Sequence, residues 1–105
     1  MAAIDPKTGE LIGATWLREM PPDEERDYGC PFPEIGIAVK PEFHGQGVGS
    51  FLMARLIEGA GQRVAGLRLG VHPQNTPARR LYEIFGFTQF AVGAGGYPQL
   101  KLPFD

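Results

Sequence analysis

The sequence predicts an α/β fold in which a mixed sheet is covered by helices. Short apolar runs typical of strands alternate with two segments that carry the three- and four-residue apolar spacing of helices. Their order along the chain, β-β-β-α-β-α-β-β, sets strands before and after each helix. A chain of 105 residues supports one hydrophobic core, so we expect a single domain over residues 1–105.

The first half of the chain predicts a hairpin, a loop and a buried strand. Residues 4–19 hold an Asp-Pro-x-x-Gly turn between apolar runs, which is typical of two strands joined by a turn. Residues 20–33 are rich in proline and charge and predict a long, exposed loop. The strand that follows should present apolar side chains on one face and small residues with one acid on the other: Ile35, Ile37 and Val39 against Glu34, Gly36 and Ala38.

The second half predicts two helices and three strands. A helix to about Arg63 should bury one apolar face, formed by Val48, Phe51, Leu52, Leu56 and Ala60. Residues 66–72 predict the next strand. The next helix has Thr76 as its predicted cap, Pro77 in its first turn, a face of Ala78, Leu81 and Phe85, and Gly86 at its end. Two more strands with a glycine-rich connection complete the chain.

Composition excludes several classes of function. The chain is 43% hydrophobic and 21% charged with a net charge of −2, so nucleic acid is not expected as a partner. Cys30 is the single cysteine and cannot form an internal disulfide. With only His44 and His72 as further soft ligands, we expect no metal site. No apolar leader or long apolar run is present, so we expect no membrane contact and a cytoplasmic location.

Three glycines stand between the buried strand and the first helix, at Gly45, Gly47 and Gly49. Glycines there let a ligand approach the unpaired N–H groups of a helix N-terminus, which favour a phosphate. A P-loop is excluded because Ser50 and Phe51 follow where lysine and a hydroxyl residue are needed. A dinucleotide fingerprint is disfavoured because five residues separate strand and loop and the required acid is missing. The glycines equally fit a plain connection between strand and helix.

Two motifs together resemble a known family. "VKPEFHGQGVGSFLMARL" is similar to the acetyl-CoA-binding motif of the GNAT N-acetyltransferase superfamily, in which Val-x-Pro leads to Arg-Gly-x-Gly-x-Gly and a helix. "VHPQNTPARRLYEIFGF" resembles the second signature of that family, matched at Asn75, Ala78, Leu81-Tyr82 and Gly86-Phe87. The resemblance implies a twisted, mostly antiparallel sheet with two helices, without the first strand and first two helices usual in the family.

The resemblance also implies a co-substrate and a site. Acetyl-CoA would bind with its pantetheine arm along the backbone of Ile37, Ala38 and Val39 and its pyrophosphate at the loop that comprises His44, Gly45, Gln46, Gly47, Val48, Gly49 and Ser50. Asn75 matches an asparagine that contacts the cofactor arm. Tyr82 matches a tyrosine near the thioester sulfur, where a phenol can act as the acid for the departing thiolate.

The implied reaction is direct transfer of an acetyl group to a primary amine of a small molecule or peptide. Glu34, the acid on the small-residue face of its strand, is the candidate general base, although a strand-end glutamate pointing to water is an equal interpretation. For Tyr82 the competing interpretation is a packed aromatic residue. A non-catalytic acyl-CoA-binding module or subunit is the alternative function.

The sequence departs from the family pattern at three points. One is Gly70, which stands where some relatives carry an acid on the strand after the long helix. His44 stands where arginine or glutamine is usual, which leaves less positive charge beside the pyrophosphate. The missing N-terminal elements would leave a sheet edge uncovered, so we expect a homodimer. Alternatively, the missing segment precedes Met1 in the natural protein.

Overall fold

The computed structural model describes residues 1–18 and 28–104. It confirms the predicted order of elements along the chain. The strands are β1 (Ala2–Ile4), β2 (Leu11–Arg18), β3 (Glu34–Val39), β4 (Gly66–Gly70), β5 (Thr88–Val92) and β6 (Pro98–Pro103). The helices are α1 (Val48–Ala60) and α2 (Thr76–Ile84).

The described strands form one mixed sheet in the order β1-β2-β3-β4-β6-β5. Only β3 and β4 pair in parallel, and every other neighbouring pair is antiparallel. The predicted mostly antiparallel sheet with two helices is therefore confirmed. β1 lies at one edge of this sheet, and the homodimer expected from an uncovered edge stays a prediction.

Both helices pack on one face of the sheet and share one core with it. Ile35, Leu69 and Leu100 from the strands meet Met53 from α1 and Tyr82 from α2 in that core. Burying such side chains removes apolar area from water, which is the main favourable term in folding. The apolar face predicted for β3 therefore points toward the helices.

The first helix differs from its predicted pattern. It ends at Ala60 rather than near Arg63, and Phe51 is exposed instead of facing the core. Leu52 and Ala60 are buried and Leu56 packs against the core as predicted, while Met53 is buried in place of Phe51. Phe51 lies at the edge of the stripe, where the Arg55 guanidinium sits 5.6 Å from its ring centroid.

The opposite face of the sheet, called here the outer face, carries Trp16, Glu34, Gly36 and Arg68. Part of it is covered by the segment of residues 28–33, whose Phe32 ring packs against Gly66 and whose Cys30 is buried. That part of the chain was predicted to be exposed. The prediction holds for Tyr28, Gly29 and Pro31, which are exposed. It is wrong for the buried Cys30 and for the half-buried Phe32, whose carbonyl accepts a hydrogen bond from Arg68 Nε at 2.9 Å.

Residues 20–27 of the predicted loop, together with residue 19 at the end of the predicted hairpin, lie outside the described residues. Within the described ranges, neither helix has the length and apolar character that crossing a bilayer requires.

Candidate active site

A cleft of about 520 Å³ opens on the helix side of the sheet, between β3 and the first turns of α1 and α2. Nine of the predicted cofactor-binding residues line it: Ile37, Val39, His44, Gly45, Gly47, Val48, Gly49, Ser50 and Asn75. Tyr82, the predicted acid, lines it as well. The fold thus brings the two sequence motifs to one place, although they are separated by strand β4.

The cleft exists because β3 and β4 part after a single paired position. Glu34 is registered with Arg68, and the Arg68 N–H donates to the Pro33 carbonyl at 3.0 Å. No later residue of β3 is registered with β4 in the described chain. The side of β3 that a continuous sheet would pair is left facing the cleft.

Hydrogen-bond alternation along β3 decides which backbone groups face that gap. The Lys40 N–H donates to the Ile12 carbonyl of the neighbouring chain segment at 2.8 Å, and the same register pairs Ala38 with Ala14. Alternate residues of an antiparallel strand point their backbone groups to opposite sides. Ile37 and Val39 therefore direct N–H and C=O groups into the gap, whereas those of Ala38 face β2. The structure places Ala38 outside the cleft.

The segment of residues 45–50, called here the glycine loop, comprises the end of the connection after β3 and the first turn of α1, and it presents backbone to the cleft. Gly45 and Gly47 have φ values of +78° and +80°, a region that side chains rarely adopt. The first backbone bond of α1 runs from Phe51 N–H to the Gly47 carbonyl at 3.0 Å. The amides of Val48, Gly49 and Ser50 thus have no acceptor within the helix.

Electrostatics at the start of α1 favour an anion. The helix has neither a side-chain cap nor an acidic residue in its first turn. The positive end of the helix dipole and the unpaired amides are therefore not compensated by the helix itself. The glycine loop has the geometry that a phosphate group requires.

His44 and Gln46 fold back onto their own segment. His44 Nε2 lies 2.8 Å from the Val39 carbonyl oxygen, which closes the corner between β3 and the glycine loop. Gln46 Nε2 donates to the Glu42 carbonyl at 3.3 Å and does not line the cleft. His44 thus supplies a structural bond besides lining the cleft.

Asn75, rather than the predicted Thr76, caps α2. Its Oδ1 accepts a hydrogen bond from the Ala78 N–H at 3.2 Å, and Thr76 is the first helical residue. The cap falls one residue earlier because asparagine satisfies the first-turn amides from outside the helix. The Asn75 side-chain nitrogen makes no bond to the described residues, so it can donate into the cleft.

Tyr82 combines a buried ring with an accessible hydroxyl. The ring belongs to the core and lies 6.0 Å from that of Phe87. In the described part of the chain the hydroxyl has no hydrogen-bond partner, yet no buried side-chain oxygen or nitrogen there is left unpaired. The hydroxyl must therefore reach the cleft surface. Burial raises the pKa of Tyr82 above its usual value of about 10, so the phenol holds its proton at neutral pH.

Glu34 lies on the outer face and does not line the cleft. Its carboxylate is 3.5 Å from Arg68 Nη1 and 3.9 Å from Arg18 Nη1, and its side chain is 38% exposed. It stands at the last paired position before β3 and β4 part. The predicted acid and base therefore occupy opposite sides of the sheet at the same gap.

Four cleft residues were not assigned to the site from sequence: Phe43, Pro77, Ala78 and Leu81. Ala78 and Leu81 belong to the second motif, so the spacing of that motif carried a signal for them. Leu81 also approaches the position of a Gly49 Cβ to 3.3 Å, which links the two helices. Phe43 and Pro77 match no defining position of either family motif, and only the folded chain shows that they line the cleft.

Across the described residues, no three His, Cys, Asp or Glu side chains are grouped as a metal site would need. The polar groups that the cleft presents include backbone N–H groups, the Tyr82 phenol and the Asn75 side-chain amide.

Known proteins share this architecture. A sequence model of the acetyltransferase (GNAT) family matches residues 2–87. An N-acetyltransferase from Staphylococcus aureus Mu50 superposes with a TM-score of 0.76 at 21% identity, over 93% of this chain and 64% of that one. The yncA protein of Salmonella typhimurium, solved with its cofactor acetyl-CoA, gives 0.77 at 24% identity, over 92% and 60%.

A third structure, the ribosomal-protein-S18-alanine N-acetyltransferase from Escherichia coli, gives a TM-score of 0.70 at 25% identity, over 93% of this chain and 64% of that one. This chain thus spans between 60% and 64% of the length of the three proteins. Among curated proteins, no sequence matches it significantly.

Proposed function

The chain belongs to the acetyltransferase (GNAT) family, and from this membership and the cleft we propose that it transfers an acetyl group from acetyl-CoA to a primary amine of a small molecule or peptide. One observation carries the proposal. The open amides of the glycine loop, the unpaired side of β3 and the Tyr82 hydroxyl all face one cleft.

The residues of the cleft fit the parts of acetyl-CoA in sequence. The amides of the glycine loop would hold the pyrophosphate, and no atom lies within 4 Å of a Cβ built at Gly45 or Gly47. The backbone groups of Ile37 and the N–H of Val39 would pair with the amides of the pantetheine arm, as an added strand pairs with a sheet edge, whereas the Val39 carbonyl already bonds to His44. Asn75 would donate from its side-chain nitrogen to the same arm.

When bound, acetyl-CoA supplies a thioester whose acetyl group passes to the amine nitrogen as the carbon–sulfur bond breaks. Tyr82 would donate its proton to the leaving sulfur, and the proton that the attacking nitrogen loses as the amide forms would return the phenolate to a phenol, directly or through water. Its raised pKa supports this role, because an acid must be protonated at working pH. A backbone N–H of Ile37 or Val39 would stabilise the negative charge that develops on the acetyl oxygen.

Glu34 remains our candidate for the base. An amine that approaches from the outer face arrives as an ammonium ion and must lose a proton before it attacks. Glu34 is the carboxylate of β3 at the edge of the gap, and Arg18 and Arg68 orient it. We propose that it accepts this proton, directly or through a water molecule.

The test measures thiol release from acetyl-CoA across small amines, amino acids, polyamines, aminoglycosides and peptides, with Tyr82→Phe beside the parent. We expect the substitution to lower kcat by about a hundredfold or more while leaving the acetyl-CoA KM nearly unchanged. Tyr97→Phe is the matched control, because Tyr97 does not line the cleft, and it should retain parental kcat.

The pH profile tests the same assignment. Because burial raises the Tyr82 pKa, the acid is present from low pH upward and is lost only as pH rises through a value above 10. The alkaline limb of kcat should therefore fall above pH 10 in the parent. Turnover that Tyr82→Phe leaves unchanged would remove the acid assignment. Acetyl-CoA binding without turnover on any amine would favour a non-catalytic acyl-CoA-binding module.

A further inference from the structure

The outer face at the gap carries an exposed indole that the proposed reaction does not use. Trp16 lies on β2 directly opposite Gly36 of β3 and is 45% exposed. It is the single tryptophan of the chain. A large apolar side chain that is left half in water beside a proposed acceptor entrance raises the question of what covers it.

The indole is held in place by the glycine beneath it. A Cβ built at Gly36 would lie 2.2 Å from both Cε2 and Cζ2 of Trp16, so any larger residue at that position would displace the ring. The ring therefore packs directly on the backbone of β3, next to the strand positions Ile35 and Ile37 that border the gap. One side of the indole is fixed by the sheet, and the rest stays accessible.

The surroundings of the indole select for an apolar neighbour. Toward one end of the strand pair, Ala14 and Ala38 face each other and add no bulk or charge. Toward the other end lie Glu34 and its two guanidinium partners, Arg18 and Arg68. These charged groups are paired with one another, and the alanines leave the exposed part of the ring accessible to an apolar group.

We propose that Trp16 is the platform for the non-reacting part of the acceptor, and that the preferred acceptors are amines that carry an aromatic ring. This inference rests on the proposed acetyl transfer. Helices and cleft occupy the other side of the sheet, so an amine that reaches the gap between β3 and β4 from the outer face passes the indole. An aromatic ring stacked on it gains apolar burial and a favourable ring–ring geometry.

The first experiment compares matched amines that differ by an aromatic ring. The ratio of kcat/KM for phenethylamine over propylamine, and for phenylalanine over alanine, is measured in the parent, Trp16→Ala and Trp16→Phe. We expect each parental ratio to favour the aromatic amine and to fall about threefold to tenfold in Trp16→Ala, through KM rather than kcat. Trp16→Phe should restore most of it. The two pairs separate arylalkylamines from aromatic amino acids.

The matched control is Leu11→Ala, because Leu11 lies on the same strand with a similar exposure of 47%. It should leave both ratios at the parental value. The acetyl-CoA KM should stay constant in every variant, because Trp16 does not line the cleft.

A second measurement needs neither turnover nor a substitution. Since Trp16 is the single tryptophan of the chain, the tryptophan fluorescence of the protein reports on binding at the outer face. We expect phenethylamine to change that emission in a saturable way and propylamine at the same concentration to leave it unchanged.

Several outcomes would overturn the proposal. One is acetyl transfer that shows no preference for aromatic amines, and another is a preference that Trp16→Ala leaves intact. A third is an emission that phenethylamine does not alter. Trp16→Ala could instead change the sedimentation coefficient of the protein and leave the kcat/KM ratios unchanged. In that case the indole belongs to a contact between copies of the chain. Failure of the acetyl transfer itself would appear separately, as absence of thiol release with every amine. The fluorescence titration would then decide on its own whether Trp16 binds the aromatic ring of the amine.

Discussion

The two helices begin in opposite ways at the same cleft. α1 starts after Gly47 with no side-chain cap, and its first three amides have no acceptor in the helix. α2 starts after Asn75, whose Oδ1 accepts from the Ala78 N–H, and its second residue is Pro77, which has no N–H to satisfy. The first N–H groups of α1 therefore have no acceptor in the helix. In α2, Asn75 and Pro77 reduce the number of such open N–H groups.

This difference distinguishes a helix start that can bind a ligand from one that holds side chains in place around the ligand. Unpaired amides cost free energy unless water or a ligand satisfies them, so an open helix start is tolerated where an anion can approach. A closed start needs no ligand and can hold side chains in place around one. In this cleft the start of α1 is the candidate anion site, whereas the start of α2 positions Asn75 and, about two turns further along the helix, Tyr82.

The largest effect should come from closing the open helix start. Gly47→Glu adds a carboxylate where we propose the pyrophosphate binds, and like charges in contact cost several kcal/mol. We expect acetyl-CoA affinity, measured by titration calorimetry, to fall about a hundredfold or more.

Gly9→Glu is the matched control for that substitution. Gly9 has a φ of +73° and no atom within 4 Å of a Cβ, so it imposes the same backbone strain and the same added charge in the turn between β1 and β2. It should bind acetyl-CoA like the parent. Undiminished binding by Gly47→Glu would reject the glycine loop as the pyrophosphate site.

A smaller effect should separate the two roles of Asn75. Asn75→Asp keeps an oxygen for the Ala78 N–H but removes the side-chain donor, so stability should hold while the acetyl-CoA KM rises about threefold to tenfold. Asn75→Ala removes both groups and should also lower the free energy of unfolding by about 1 kcal/mol. Urea unfolding and steady-state kinetics give the two readouts. Equal KM values for parent and Asn75→Asp would leave Asn75 as a cap only.

Local signals in the sequence predicted much of this architecture. The alternation of Ile35 and Gly36, the glycines at 45 and 47 and the Asn75-Thr76-Pro77 run each act within a few residues, through strand pleat, positive φ and capping. For that reason the strand, the open loop and the start of α2 could be placed to within one residue. The family resemblance then brought the two motifs into one site.

Other features depend on residues that are distant in sequence and could not be read from local patterns. β3 and β4 part after Glu34 and Arg68, two residues that are 34 positions apart in the sequence. The indole of Trp16 settles on Gly36, which is twenty residues away. Phe51 satisfies the helical spacing as well as Met53 does, and only packing of α1 on the sheet decides which of them is buried.

The smallest predicted effect concerns His44, the residue that departs from the family pattern beside the open helix start. Its Nε2 bonds to the Val39 carbonyl at 2.8 Å, so the side chain fixes the corner, whereas an arginine carries a permanent positive charge. His44→Arg should supply that charge and lower the acetyl-CoA KM about twofold to fivefold at low salt, with the gain shrinking as ionic strength rises. His72→Arg adds the same charge outside the cleft and should leave the KM unchanged. A gain that salt does not weaken would mean that geometry, rather than charge, limits binding at this corner.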